Sequence, residues 1–214
     1  MVNRYIDLTT WHRKNHFEFY KGFEQPCFNI CLTIDVTEAI KFANKHNVSK
    51  LFTLLYLSSK ACNNVEAFKL RISASGKPYK LNKVHPSATL MNNEELFSFC
   101  NFKFDEDFEN FIHESNKNKL HELAKPALSE VENREDLIFY SIIPWLSFTS
   151  FSHAQSKECQ DIPKIVFGKF NYQQDKITMP ISVELHHALA DGLDVAKYIQ
   201  AFENEISTCH EIKL

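Results

Sequence analysis

The sequence predicts a layered fold of mixed helices and strands, α/β or α+β in class, and three observations carry that expectation. Apolar residues recur at helical spacing in several segments, β-branched and aromatic runs bounded by turn residues lie between them, and one such run passes directly into a helical segment. The chain has 214 residues, a length that fits one domain over 1–214. Its 19 Phe against 4 Gly mean a thick aromatic core first and an apolar ligand lining second.

The elements follow in order. "IDVTEAIKFANKHN" sets Asp35 and Glu38 at capping-box spacing, and Ala39, Phe42 and Ala43 share one helical face. A more apolar, more buried helix follows from Ser49 through "KLFTLLYLSSKACNN". "FKLRISASGKPYKLNKV" holds two strand-like runs around a Ser-Gly turn and reads as a hairpin. "DEDFENFIHESNKNKLHELAK" is a charged amphipathic helix that breaks near Pro126. "LIFYSIIPWLSFTSF", "IPKIVFGKF" and "KITMPISVEL" favour strand, the last two joined by the polar turn "NYQQD". After Gly192, the spacing of Val195, Tyr198, Ile199, Phe202 and Ile206 marks a helix with Asp191 at its N-cap position.

A net charge of −3 provides no positive field to hold nucleic acid or an anionic membrane. No run approaches the roughly 18 apolar residues of a membrane span, and the amino terminus has no signal-peptide core. Cys27, Cys31, Cys62, Cys100, Cys159 and Cys209 form no CxxC pair, so reduced thiols in a cytoplasm are expected.

"ELHHALADGLDVAKYIQAFE" is therefore strand, corner, helix, with His186 and His187 at the corner. Side chains alternate along a strand, so the two histidines cannot both enter one cleft unless the strand has ended. Hydrogen-bonded structural histidines, metal ligands and a general base are the readings the dipeptide allows. The missing HExxH or Cys/His spacing disfavours zinc, and no metal is expected.

At "HHALADG" the sequence resembles the His-x-x-x-Asp-Gly signature shared by chloramphenicol acetyltransferases and the acyltransferase domains of 2-oxoacid dehydrogenase complexes. "WHRKNHFEFY" (11–20), "KVHP" (83–86), "SIIPWLSFTSF" (141–151) and "MPISVELHHALADG" (179–192) resemble chloramphenicol acetyltransferase segments in family order, across nearly the whole chain. The resemblance implies an α/β two-layer sandwich, a mixed sheet covered by helices. It implies a homotrimer with active sites between subunits, and CoA-dependent O-acetylation of a small hydroxylated acceptor, chloramphenicol leading. Another alcohol, sugar or amine acceptor is the alternative, as is a non-catalytic trimeric ligand-binding homologue.

The same resemblance assigns roles. His187 matches the catalytic base, which takes the proton from the acceptor hydroxyl within a ternary complex with acetyl-CoA. Ser141 matches the serine that stabilises the oxyanion. Asp191 matches a structural aspartate paired with an amino-terminal arginine, here Arg13, and Gly192 is expected to permit tight backbone geometry at the corner. Phe19, Tyr20, Phe97 and Phe151 match aromatic positions of the acceptor pocket, and Lys50, Lys169 and Phe170 fall at the coenzyme site. The chain departs from the family at His153 and Gln155, a more polar acceptor wall, at Val166 in place of a threonine, and at Phe170 in place of a tyrosine.

Overall fold

The structure is a computed structural model that describes residues 4–128, 134–155 and 160–214. Its chief element is a mixed sheet in the order β2 (Cys27–Asp35), β10 (Lys176–His186), β8 (Lys164–Phe167), β7 (Leu137–Ile142), β5 (His85–Met91) and β6 (Phe97–Asn101). β9 (Asn171–Gln173) adds to β10. Pairing is antiparallel at β2–β10, β10–β8 and β5–β6, and parallel at β8–β7 and β7–β5. A small sheet joins β1 (Arg4–Tyr5), β4 (Pro78–Lys80) and β3 (Leu70–Ile72).

Period-two alternation divides the residues of the large sheet between its faces. On β10, Met179, Ile181, Val183 and Leu185 join the principal core, packed with α2 (Thr37–Lys45), α3 (Lys50–Asn64), α4 (Phe108–Leu123) and α5 (Gly192–Ser207). Ser182, Glu184 and His186 point to the opposite face. With their register partners Val166 and Lys164 on β8, and then Ser141 and Phe139 on β7, they make that face polar and aromatic. The fold is thus α/β, with helices packed on one face of the sheet and a polar and aromatic second face.

Ser49 caps α3 by accepting from the Phe52 amide, and the hairpin turn places Gly76 at φ 73°, where glycine is free of Cβ strain. α3 is buried along most of its length, and its Ser58 hydroxyl bonds both the Tyr140 and the Tyr198 hydroxyls, at 2.8 and 2.7 Å. These bonds satisfy polar groups that burial would otherwise leave costly.

Three local expectations are corrected. The strand expected over "LIFYSIIPWLSFTSF" ends at Ile142, and residues 143–151 leave the sheet as turns and loop. Asp35 and Glu38 form no capping box: Asp35 stays in the β2–β10 ladder opposite Thr178, its carboxylate accepts from the Thr37 amide and hydroxyl, and Glu38 pairs with Lys41. The turn read over "NYQQD" is tighter, because Asn171–Gln173 pairs with β10 and only Gln174 takes a positive φ, 45°. The described cysteines Cys27, Cys31, Cys62, Cys100 and Cys209 are free thiols. Cys159 lies outside the described residues. No helix among them is long and apolar enough to cross a membrane.

Candidate active site

β10 ends at His186, and the next residue leaves the ladder, which lets the two histidines diverge. His186 is 5% exposed, and its Nδ1 accepts from the Ala188 amide at 3.2 Å. Burial, with a smaller contribution from His187, pushes its pKa down to about 4. His187 is half-buried. Tyr20 lies flat against its imidazole at 4.1 Å between centroids, and Phe28 tilts against it at 4.7 Å. His187 Nδ1 is 3.1 Å from the Ala190 carbonyl. A carbonyl only accepts, so that hydrogen bond requires the proton on Nδ1 and leaves the Nε2 lone pair free.

Arg13, from the turn before α1 (Lys14–Tyr20), holds the corner from outside. Its guanidinium donates to Asp191 Oδ2 at 2.7 Å, to the His187 carbonyl at 2.9 Å and to the Ala188 carbonyl at 3.3 Å. The Asp191 carboxylate also caps α5 in a capping box with Asp194. The Arg13 hydrogen bond holds its pKa below the usual carboxylate range, with the Leu193 and Asp194 amides assisting. Gly192 does not meet the expectation placed on it: a Cβ there would lie 3.8 Å from Ile30 Cδ1, an ordinary contact, and its φ is not in the left-handed region. The glycine that close packing demands is Gly168, where a Cβ would come within 2.5 Å of Pro180 and 2.9 Å of Phe148.

A separate cleft of about 1180 Å³ opens on the second sheet face, between β5–β7 and α4. Phe97, Phe99, Phe139 and Phe151 give it aromatic walls, and Ser141, His153 and Lys164 also line it. The Ser141 hydroxyl bonds no other described residue. Neither His187 nor Phe19 nor Tyr20 lines this cleft. The structure therefore divides the residues singled out in the sequence into two groups: His187 with Tyr20 and the 64% exposed Phe19, and Ser141 with Phe97, Phe151 and His153.

The remaining positions fall around these groups. Val166 is fully buried on the cleft face between Ser141 and Ser182. Gln155 bonds Glu184 and Lys164 instead of lining the cleft. Lys50 starts α3 partly exposed, Lys169 is exposed beside Gly168, and Phe170 packs against the core. The described residues hold no group of three His, Cys, Asp or Glu able to bind a metal.

Phe28, Phe139 and the Lys164–Glu184 pair escaped the sequence reading. No local spacing marks Phe28, because the β2–β10 pairing brings it to His187 from far along the chain. Lys164 and Glu184 had one available signal: a charged residue inside each of two strand-like runs.

A family model for chloramphenicol acetyltransferase matches residues 1–203. The chain is similar to chloramphenicol acetyltransferases of Escherichia coli, at 26% identity over 92% of this chain and 91% of the relative. With that of Streptomyces acrimycini it shares 28% over 95% and 92%. A solved chloramphenicol acetyltransferase superposes with a TM-score of 0.85 at 23% identity, covering 96% of this chain and 100% of that one. An Azotobacter vinelandii dihydrolipoamide acetyltransferase structure gives 0.68 at 13%, over 94% and 88%. These structural likenesses are of fold.

Proposed function

The chain belongs to the chloramphenicol acetyltransferase family, and on that premise we propose that it transfers acetyl from acetyl-CoA to a hydroxyl of a small acceptor, with His187 as general base. The observation that carries this reading is the free Nε2 of His187. Its ring is held in one tautomer by the Ala190 carbonyl and packs against Tyr20 and Phe28.

In this reading Nε2 takes the acceptor's hydroxyl proton as the oxygen forms its bond to the thioester carbon. The C–S bond then breaks, and the imidazolium returns the proton to the departing thiolate. Acceptor and acetyl-CoA are held together, and no acetyl-enzyme forms. The Ser141 hydroxyl donates to the oxyanion, a contribution of about 3 kcal/mol for a well-placed donor. Arg13 and Asp191 act only by positioning. Lys50 and Lys169 supply positive charge for the coenzyme's phosphates, and Phe170 an apolar surface beside it.

The separation of His187 from the Ser141 cleft supports a site completed between subunits, as in a homotrimer where His187 of one copy faces the cleft of the next. Chloramphenicol is the leading acceptor. Thiol release from acetyl-CoA, tested with chloramphenicol and with other alcohols, sugars and amines, checks the activity; no release with any acceptor overturns it. Mixing His187→Ala protein with a cleft-blocked Ser141→Trp variant checks the shared site. Two inactive preparations should regain activity together after subunit exchange, and persistent inactivity contradicts the arrangement.

A further inference from the structure

The aromatic cleft has a polar end that the protein leaves incomplete. The buried, unpaired side-chain atoms among the described residues belong to Ser59, Ser98, Ser115 and His153, and of these residues His153 alone lines the cleft. Its Nε2 has no partner, while Phe151 packs edge-on to the ring at 4.9 Å. Beside it stands Lys164, 7% exposed and also lining the cleft. Lys164 Nζ donates to Glu184 at 2.8 Å and to Gln155 at 3.1 Å, and the Gln155 amide bonds the same Glu184 oxygen at 2.9 Å. An ammonium has three donors, so one remains unspent among the described residues.

We infer that His153 and Lys164 form a specificity subsite that grips a carboxylate or carbonyl oxygen of the acceptor. Burial holds the His153 pKa below its ordinary value, against the pull of Glu184, so the ring is neutral and carries one N–H. His153 and Lys164 both line the cleft, and in this subsite the imidazole N–H and the spare ammonium N–H serve the same accepting oxygen. The Glu184–Gln155 pair holds Lys164 in place while neutralising its charge, so recognition is by hydrogen bonding. Phe97, Phe99, Phe139 and Phe151 cover the acceptor's flat apolar part. The substrate class is an aryl or similarly flat alcohol with a carbonyl-type oxygen at its far end.

This inference rests on the acetyltransferase reading for its biology, but its test is made by binding. Calorimetry without acetyl-CoA compares para-(hydroxymethyl)benzoate, para-(hydroxymethyl)benzamide and para-methylbenzyl alcohol on the whole protein. The benzoate and benzamide should bind about 10-fold more tightly than the methyl compound, as two buried hydrogen bonds of modest net strength imply. His153→Leu should remove most of that preference, leaving only the Lys164 donor, and His153→Gln should retain more of it. Equal binding of the three, no binding of the benzoate, or a preference unmoved in His153→Leu overturns the inference. Thiol release with the benzoate, dependent on His187, is a separate readout that judges the acetyltransferase reading alone.

Discussion

Tyr20 lies flat on His187, the ring planes 11° apart, although 166 residues of chain separate them in sequence. The contact closes one face of the imidazole while the Ala190 carbonyl fixes its tautomer. Tyr20→Ala should lower kcat/KM by roughly 10-fold or more, since a loosened base attacks from a spread of geometries. Tyr20→Phe keeps the ring and should keep most activity. Steady-state kinetics decide the matter, and equal losses in both variants point to the hydroxyl instead.

Arg13 binds two corner carbonyls as well as Asp191, so the two partners are not equivalent. Arg13→Ala should destabilise by about 3 kcal/mol, because it frees two carbonyls and a carboxylate. Asp191 is partly solvent-exposed, and screening reduces its share, so Asp191→Asn should cost about 1 kcal/mol. Denaturant melts of both variants, set beside kcat, test the order. A positioning role predicts that activity falls with the corner's stability.

Ser141 offers a hydroxyl that bonds no other described residue. Ser141→Ala should therefore leave the melting temperature almost unchanged and lower kcat by roughly 100-fold, the usual loss for an oxyanion donor. A stability loss without a rate loss would assign Ser141 to structure.

His186 gives the protein an acid sensitivity with a definite sign. Its folded pKa, about 4, lies below the ordinary 6.5, so the unfolded chain binds the proton first. Its stabilising contribution is whole above pH 6.5 and is lost as pH falls towards 4, by roughly 3 kcal/mol. His186→Asn should flatten the fall in melting temperature over that window, and an unchanged slope contradicts the assignment.

What the sequence revealed was what local chemistry encodes. Ser49 and Asp191 cap helices whose apolar spacing is regular, and the hairpin's Gly76 sits where a positive φ demands it. β2 went unrecognised because "CFNICLTID" interleaves polar Asn29 and Cys31, which face the second side of the sheet beside β10. Gly168 and Gly192 look alike in sequence, and only the approach of Pro180 and Phe148 separates the required glycine from the tolerated one. The split between the His187 group and the Ser141 cleft depends on strand order, which no local pattern carries. The same holds for Lys164 and Glu184, adjacent in the sheet through the β8–β10 register.

In the proposed reaction His187, and not its neighbour, is the base. Thiol release from acetyl-CoA with chloramphenicol and the wider acceptor panel, measured for the native protein, His187→Ala and His186→Ala, tests it most directly. Release should depend on the acceptor and disappear in His187→Ala while the fold persists, with a much milder rate loss in His186→Ala at neutral pH. Equal rate losses in the two variants, or full release without the His187 imidazole, would contradict it.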